Sequence, residues 1–360
     1  MSRIAIGCIY DNEGIIDDYK IYLLECIRKA CDKIIIVTNG IIKENYKERL
    51  LEFCENIYFR ADIGADAGAF QDYFMNRFND KSWRDYDEVI TFNDSCYGPF
   101  MNIERIFSRM EEEDCDYWGM IEIKKDGASF ISPYFNVYRK KLLQNDFIEF
   151  WKQLDVGMER CNLLCENYEI GMQKFFEKRG YSHKTWMQII TNQDYDFRDM
   201  YKPDKMLVQG EICNPLLKYK MFSFAINPDY EKLISYIDDN YVYDVELIKK
   251  HISRIENKNR LYPFSREKLN EFFRTHNKIY IYGHGEYGRN IAEYCRKHNL
   301  EIAGFVVSEK KSNDELALKD LVLKDEDGIV VGVGMGLRDE IEEKLLSLFS
   351  TSQLLLTVKY

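Results

Sequence analysis

Residues 3–14 read RIAIGCIYDNEG, an apolar run of strand length that is followed by a polar loop. The helix predicted next has residues at the i, i+3, i+4, i+7, i+8 positions that mark one apolar face: Leu23, Cys26, Ile27, Ala30 and Cys31. Residues 34–37 are all apolar and predict a strand buried on both faces. A polar helix near 43–54 then leads to a strand at 57–59. This β-α-β-α-β order is typical of a parallel sheet with crossover helices.

The alternation of strands and helices continues along the chain. A strand is predicted at 88–92 and a helix with one apolar face at 103–110. Two further strands, at 117–123 and 129–138, follow each other closely and are predicted to pair antiparallel. The predicted fold class is therefore α/β with a mostly parallel sheet.

A polar stretch from Glu256 to Arg260 precedes Pro263 and predicts a linker. Beyond it a second β-α-β pattern begins with a strand at 278–282. We therefore predict three parts: a first domain at 1–256, a linker at 257–266, and a smaller Rossmann-like α/β domain at 267–360.

Composition excludes some classes of partner and compartment. The formal net charge is −11, so the chain has no overall basic field for nucleic acid. Its ten cysteines include no CxxC pair, as expected of thiols that stay reduced inside a cell. The N-terminus has no signal-peptide pattern, and no apolar run approaches the length that spans a membrane. These features predict a cytoplasmic protein that contacts the membrane at most peripherally.

Asp94 lies in FNDS, residues 92–95, just past a predicted parallel strand. Ligands of open α/β sheets bind at this edge, and a carboxylate there suits Mg²⁺ or Mn²⁺ shared with a diphosphate. The alternative is an Asp that caps the following turn, with Gly98-Pro99 beginning the next helix.

A second strand-to-helix loop reads RADIGADAGA, residues 60–69. Most residues around the two aspartates are small, including Gly64 two positions before Asp66, so a ligand can approach the backbone closely. A helix N-terminus there favours an anion or a hydroxyl-rich group. The alternative is a tight turn in which Asp is the N-cap.

Glu166 and Glu169 lie near the start of a predicted helix. A base that deprotonates a sugar hydroxyl must be a positioned carboxylate or histidine. The alternative is two glutamates favoured by the helix dipole.

The predicted second domain opens with Gly283-x-Gly285-x-x-Gly288, the dinucleotide-binding spacing in a strand-turn-helix setting. The acidic residue expected at the end of the next strand is replaced by Ser308, so the contact to a ribose hydroxyl is undefined. Of the five histidines, only His183 falls in the loop-rich part of the first domain, where it is a candidate metal ligand.

Nine segments of the chain together resemble the rhamnan synthesis protein F family. They keep their order from about residue 3 to 255, and the last hundred residues lie outside them. The segments are IYDNEGIIDDY (9–19), VTNG (37–40), IGADAGA (63–69), NDSCYGP (93–99), DYWG (116–119), YFNVYRK (134–140), ENYEIG (166–171), NPLLK (214–218) and YDVELI (243–248).

The resemblance implies a GT-A-like fold that binds a nucleotide-diphospho-sugar donor. It places Asp11 and Asp66 near the nucleoside. Gly64 and Asn93 are the other donor-binding residues that it implies at these loops. It gives Asp94 the place of the acidic metal-binding motif, although many GT-A enzymes have two carboxylates there and this chain has one.

The resemblance also implies how the transfer is catalysed. Glu169 is the general base, with Glu166 as the second candidate. Lys218 and Lys220 neutralise the leaving diphosphate, in place of or beside Mg²⁺ or Mn²⁺. The acceptor is a growing glycan, on a polyprenyl carrier at the inner face of the cell membrane.

The function predicted from these features is transfer of rhamnose or a related sugar to a cell-surface polysaccharide, with inversion. Two alternatives stay open. One is a scaffold that binds nucleotide sugar without transferring it. The other is an NAD-dependent oxidoreductase that uses the second domain and its glycines Gly283, Gly285 and Gly288.

Overall fold

The computed structural model of the protein describes residues 1–157, 165–258 and 263–356. Contacts within the chain divide it into two units, Met1–Lys218 with Tyr241–Tyr243 and Tyr219–Asn240 with Asp244–Tyr360. The predicted domain limits stay a prediction. Residues 259–262 of the predicted linker lie outside the described residues.

The first unit contains thirteen strands among the described residues. They are β1 (Arg3–Ile9), β2 (Lys33–Asn39), β3 (Asn56–Arg60), β4 (Glu88–Asn93), β5 (Cys96–Tyr97), β6 (Tyr117–Gly119), β7 (Glu122–Lys125), β8 (Ala128–Ile131), β9 (Phe135–Arg139), β10 (His183–Thr185), β11 (Leu207–Val208), β12 (Glu211–Ile212) and β13 (Leu217–Lys218).

The helices of this unit connect and cover the sheet. They are α1 (Asp18–Arg28), α2 (Glu44–Leu50), α3 (Ala65–Phe74), α4 (Ile103–Glu111), α5 (Lys140–Gln144), α6 (Phe147–Gln153), α7 (Gly171–Glu177), α8 (Trp186–Thr191) and α9 (Pro203–Met206). A π-helical segment, Cys165–Ile170, directly precedes α7. Short 3₁₀ turns occupy Ser82–Asp85 and Asp199–Tyr201.

Seven of these strands form one sheet in the order β10-β6-β9-β4-β1-β2-β3. All neighbouring pairs are parallel except the two that involve β9, which is antiparallel to both β4 and β6. The predicted α/β class with a mostly parallel sheet is confirmed. The crossovers between β1, β2 and β3 contain α1 and α2, as the alternation of apolar and polar segments predicted.

The two strands predicted at 117–123 and 129–138 are each divided in the structure. Their first and last parts pair antiparallel as β6 and β9, and their inner parts pair antiparallel as the hairpin β7–β8. The prediction of antiparallel pairing is confirmed, although the sequence did not reveal the break between the two pairs. Asp126 and Gly127 form the hairpin turn with positive φ, which Gly and Asp tolerate better than most residues.

The core of the first unit is rich in aromatic side chains. Phe74 of α3 packs edge-to-face on Phe147 of α6, with ring centroids 4.7 Å apart, and Trp151 lies 5.3 Å from Phe74. Phe150 of α6 contacts Phe176 of α7. Such pairs stabilise beyond the area they bury. They fix α3 and the segment around α7 against the same face of the sheet.

The second unit is built on a parallel five-stranded sheet. Its strands are β14 (Ile279–Tyr282), β15 (Gly304–Val307), β16 (Glu315–Ala317), β17 (Gly328–Val331) and β18 (Leu354–Leu355), in the order β16-β15-β14-β17-β18. Its helices are α10 (Tyr230–Asn240), α11 (Glu246–Ile255), α12 (Arg266–Thr275), α13 (Glu286–Lys297) and α14 (Met335–Leu346). Its 3₁₀ turns are Tyr219–Phe222, Leu318–Asp320 and Thr351–Gln353.

Close backbone packing explains two of the three glycines in the turn between β14 and α13. A Cβ on Gly288 would lie 1.9 Å from the carbonyl oxygen of Gly283, and Gly283 itself has a φ of +102°. A Cβ on Gly285 would meet no heavy atom within 4 Å. The predicted strand-turn-helix setting is confirmed. Gly283 and Gly288 are required by the backbone of the turn, whereas Gly285 has room for a side chain.

We expect Gly288→Ala to destabilise the second unit by about 2 kcal/mol, because the added methyl overpacks a backbone contact. Gly285→Ala is the matched control and should cost less, about 1 kcal/mol at most, because it changes only the N-cap residue of α13. Amide hydrogen exchange of residues 279–282 measures the local free energy of opening. Equal exchange in the two variants would contradict the packing role of Gly288.

Candidate active site

The parallel strands β4, β1, β2 and β3 end at the same edge of the sheet, and the loops that follow them form the candidate site. Asn93 is the last residue of β4 and pairs in register with Cys8 of β1. Burial raises the pKa of the Cys8 thiol well above its ordinary value, and the charges of Asp66 and Asp94 add to this shift. The two predicted aspartates therefore act on the same point of β1.

Asp94 is held by a buried lysine. The Nζ atom of Lys20 lies 2.6 Å from Oδ2 of Asp94, and the Lys20 side chain is 3% exposed. The backbone N–H of Tyr10 donates to the same oxygen at 3.2 Å. The hydroxyl of Tyr19 donates to the backbone carbonyl of Asp94 at 2.8 Å. Asp94 is thus fixed from both its side chain and its backbone.

The turn after β4 is capped by Asn93 and not by Asp94. The Oδ1 atom of Asn93 accepts from the backbone N–H of Ser95 at 3.2 Å and from its hydroxyl at 2.5 Å. The next helix begins at Ile103 with Asn102 as its N-cap, well past Gly98-Pro99. The alternative in which Asp94 caps this turn is therefore wrong.

Asp66 and Lys218 meet around Asn93 and Ser95. The Nδ2 atom of Asn93 donates to Oδ2 of Asp66 at 2.7 Å, and Nζ of Lys218 donates to Oγ of Ser95 at 2.8 Å. Burial raises the pKa of the Asp66 carboxyl, while the hydrogen bond from Asn93 and the charge of Lys218 oppose this rise. The ammonium of Lys218 also lies 4.7 Å from the ring centroid of Tyr134. This group of a carboxylate, an amide, a hydroxyl and an ammonium is the polar cluster of the site.

The loop that carries Asp66 is held by Arg60 at the end of β3. Its guanidinium pairs with Asp72 at 2.7 Å and donates to Oδ1 of Asn39 at 2.5 Å and to the carbonyl of Ile63 at 2.7 Å. Gly64 has a φ of +74° and precedes α3 as its N-cap residue. Asp66 lies in the first turn of α3, so the alternative in which Asp66 is the N-cap is wrong.

Asp11 closes its own loop. Its Oδ1 atom accepts from the backbone N–H of Glu13 at 2.9 Å and of Ile15 at 3.2 Å. Burial raises the pKa of the Tyr10 hydroxyl, and Asp62 and Asp11 add to this rise. Asp11 therefore lies at the same edge as the polar cluster, with one carboxylate oxygen used in a local turn.

Glu166 and Glu169 belong to the π-helical segment that precedes α7. Glu166 is exposed and Glu169 half-buried, and Tyr168 between them is buried. Glu166 lines a groove of about 580 Å³ together with Asp155, Lys174 and Phe175. Burial raises the pKa of the Tyr168 hydroxyl well above its ordinary value, and Tyr138 and Asp66 add to the rise. The sequence did not predict that this segment contains a buried tyrosine between the two glutamates.

Apart from His183, the remaining predicted site residues belong to the second unit. Lys220 lies in the 3₁₀ turn Tyr219–Phe222. Ser308, which replaces the expected acidic residue, bonds to the hydroxyl of Tyr282 at 2.6 Å and accepts from Lys344 at 3.3 Å. His284 pairs with Glu315 at 2.8 Å and stacks on Phe305. The roles of Gly283, Gly285 and Gly288 in ligand binding stay a prediction.

The amino-acid sequence matches the model of a known protein family. The model of the rhamnan synthesis protein F family matches residues 34–322. The chain belongs to that family. The description of the family, rhamnan synthesis protein F, connects it with the synthesis of a polysaccharide. The family match continues past residue 255, so the expectation that the last hundred residues lie wholly outside the resemblance is wrong.

The individual proteins that resemble this chain share little sequence identity with it. An uncharacterized protein of Sinorhizobium fredii is 24% identical over 185 residues, which cover 49% of this chain and 46% of that protein. The matched part is thus about half the length of that relative. Residues 1–349 of Staphylococcus aureus TarS give a TM-score of 0.34 at 12% identity, with 76% of this chain and 78% of that chain covered. The 4-diphosphocytidyl-2C-methyl-D-erythritol synthase of Anaerococcus prevotii gives a TM-score of 0.29 at 13% identity, with 54% and 90% covered.

The residues around Asp94 do not fit a divalent cation. One carboxylate oxygen already bonds to the Lys20 ammonium, and the described ranges contain no group of three His, Cys, Asp or Glu side chains placed to hold a metal. Mg²⁺ usually takes one or two carboxylates and shares the phosphates of its ligand, but a neighbouring ammonium repels it. The predicted Mg²⁺ or Mn²⁺ at Asp94 stays a prediction that this geometry does not favour.

His183 is part of a hydrogen-bonded group with Glu122. Oε1 of Glu122 accepts from Ser129 at 2.6 Å and from Gln173 at 2.9 Å, and Nε2 of His183 lies 3.2 Å from the same oxygen. The His183 hydrogen bond, together with those from Ser129 and Gln173, lowers the pKa of Glu122 to about 2, against the effect of burial. A role of His183 as a metal ligand stays a prediction.

We expect Glu122→Gln to lower the free energy of unfolding by about 2 kcal/mol at neutral pH, because a charge-assisted hydrogen-bond group is lost. Since the folded pKa lies below the ordinary value, this stabilisation is full above about pH 4.5 and disappears as the pH falls toward 2. Urea unfolding of both proteins between pH 7 and pH 3 measures the difference.

The matched control for this measurement is Glu44→Gln, which removes an exposed ion pair with Lys47. Such pairs contribute little, so its effect should be small at every pH. A Glu122→Gln difference that stays constant from pH 7 to pH 3 would contradict the assignment.

Proposed function

We propose that the chain transfers rhamnose or a related sugar from a nucleoside diphosphate to a hydroxyl of a growing cell-surface polysaccharide, with inversion. The observation that carries the proposal is the polar cluster of Asp66, Asn93, Ser95 and Lys218 at the carboxyl edge of a parallel sheet. Family membership supplies the reaction class, and the cluster supplies groups that suit both ends of a nucleotide sugar.

The donor is bound by opposite charges in this proposal. The Asp66 carboxylate accepts hydrogen bonds from hydroxyls of the nucleoside, with Asp11 beside it, and Gly64 leaves room at the loop backbone. The Lys218 ammonium lies against the diphosphate. A preorganised cation at the site of developing negative charge is usually the largest single contribution to catalysis. A contact of Lys220 with the diphosphate stays a prediction from the family resemblance alone.

The acceptor is activated from the π-helical segment. The Glu169 carboxylate takes the proton of the acceptor hydroxyl while the hydroxyl oxygen attacks the anomeric carbon. The bond from that carbon to the diphosphate breaks on the opposite face, and the electron pair leaves with the diphosphate. One displacement of this kind inverts the configuration. Glu166, which lines the neighbouring groove, is the second candidate for the base.

The acceptor in this proposal is a glycan on a polyprenyl carrier at the inner face of the cell membrane. In the ranges that the structure describes, none of the helices has the length and apolar character needed to cross a bilayer. Contact with the membrane would therefore be peripheral for these ranges. The domain limits at 1–256, 257–266 and 267–360 belong to the same proposal.

The first test uses sugars linked to dTDP, UDP, GDP and CDP and measures release of the nucleoside diphosphate. We expect one donor class to be turned over, slowly without acceptor and faster with a polyprenyl-linked glycan. Lys218→Met should lower kcat/KM by about 100-fold, because the leaving diphosphate loses its cation. Lys152→Met, at an exposed ion pair of α6, is the matched control and should not change it. Release of no diphosphate from any donor would contradict the proposal.

The second test separates the two candidate bases. Glu169→Gln should lower kcat by about 10²- to 10⁴-fold with little change in the KM for the donor, because only proton transfer is affected. Glu166→Gln should keep most of the turnover. A larger loss in Glu166→Gln than in Glu169→Gln would exchange the two roles.

A further inference from the structure

A buried ion pair joins the first helix to the ends of two strands at the candidate site. Lys20 is 2% exposed as a residue, and its ammonium bonds to Oδ2 of Asp94 at 2.6 Å and to the backbone carbonyl of Tyr10 at 2.9 Å. Tyr10 follows β1 and Asp94 follows β4, so one ammonium connects both loops. The function derived so far does not use it.

Stability does not explain a lysine at this position. Lys20 lies in register with the buried residues Leu23, Leu24 and Ile27 on the inner face of α1. Removing an ammonium from water is expensive, and replacement of a buried ion pair by apolar side chains is often neutral or stabilising. A leucine or methionine would continue the apolar face. The charge at Lys20 therefore calls for a reason at the site itself.

The pairing leaves Asp94 with one available oxygen. Oδ2 accepts from both Lys20 and the N–H of Tyr10, whereas the structure shows no hydrogen bond from a described residue to Oδ1. The Asp94 side chain is 17% exposed. An uncompensated carboxylate here would repel a diphosphate, and Asp66 already contributes a second negative charge to this edge. With Lys20 in place, Asp94 is a hydrogen-bond acceptor without net repulsion.

We propose that Lys20 neutralises Asp94 in place of a divalent cation of the kind that many GT-A transferases bind, so that the nucleoside diphosphate binds without metal. Lys20 is a positioning residue. It neutralises Asp94 and aims Oδ1 at a hydroxyl of the donor, while Lys218 contacts the diphosphate. This inference rests on the proposed function and adds to it that donor binding needs no metal ion.

The experiment measures the affinity of the full chain for dTDP, UDP, GDP and CDP by calorimetry, once in EDTA and once in Mn²⁺. For the nucleotide that binds, we expect the same dissociation constant in both. A loss of about tenfold or more in EDTA would overturn the inference while leaving the transferase proposal intact. If none of the four binds in either buffer, the proposed function fails and the inference fails with it.

Variants of Lys20 give a second and independent readout. Lys20→Met should weaken binding in EDTA by about tenfold or more, and Mn²⁺ should restore part of the affinity because Asp94 is then free to bind it. Lys20→Arg should keep most of the wild-type affinity without metal. Lys20→Met with Asp94→Asn removes both charges and should bind better in EDTA than Lys20→Met alone.

A Lys20→Met protein that binds like the wild type, or one that loses affinity equally with and without Mn²⁺, would overturn the role of Lys20. Circular dichroism shows whether each variant folds. If Lys20→Met does not fold, the wild-type comparison in EDTA and Mn²⁺ and the Lys20→Arg variant still decide the question.

Discussion

β1 is hydrogen-bonded in parallel to β2 on one side and to β4 on the other, and each of its residues is buried. Because parallel strands run the same way, the loops that follow them leave the sheet at one edge. A shift of one residue in the register between β1 and β4 would turn Asn93 to the other face and separate it from Asp66. The polar cluster, the Arg60 contacts and the Lys20–Asp94 pair all depend on this register.

Three cations stabilise this edge, each in a different way. Arg60 bonds to Asp72, Asn39 and a loop carbonyl, which fixes the path of the loop before Asp66. Lys20 neutralises Asp94 inside the protein. The Lys218 ammonium donates to the neutral hydroxyl of Ser95 and lies over the ring of Tyr134, and these neutral partners leave its charge for an anion. In the proposed function, this division allows a site with several aspartates to accept a diphosphate.

The sequence predicted those parts of the structure that depend on local periodicity. The strands of the parallel sheet were predicted because their apolar runs are short and are separated by amphipathic helices. It also placed Asp66, Asn93 and Asp94 in loops at one edge, since that follows from parallel topology. Lys20 was missed, although it had a signal: a lysine three residues before Leu23 and seven before Ile27, on an apolar face. A charged residue at a position where the helix period requires an apolar one is evidence for a buried partner.

The features that could not be predicted depend on contacts between residues far apart in the chain. Asn93 rather than Asp94 caps the turn after β4 because Lys20, 74 positions earlier, holds the aspartate. The break in the strand predicted at 117–123 depends on β6 and β7 pairing with different partners.

The π-helical segment was not predicted either. In the sequence, a π-helical turn differs from an α-helical turn only by one additional residue, which the spacing of apolar residues did not reveal. Its buried Tyr168 hydroxyl has no hydrogen-bond partner among the described residues. A buried hydroxyl without a partner is costly, so its presence calls for an explanation. Because π-helical turns are frequent at functional sites, a role of this segment in the site would explain it.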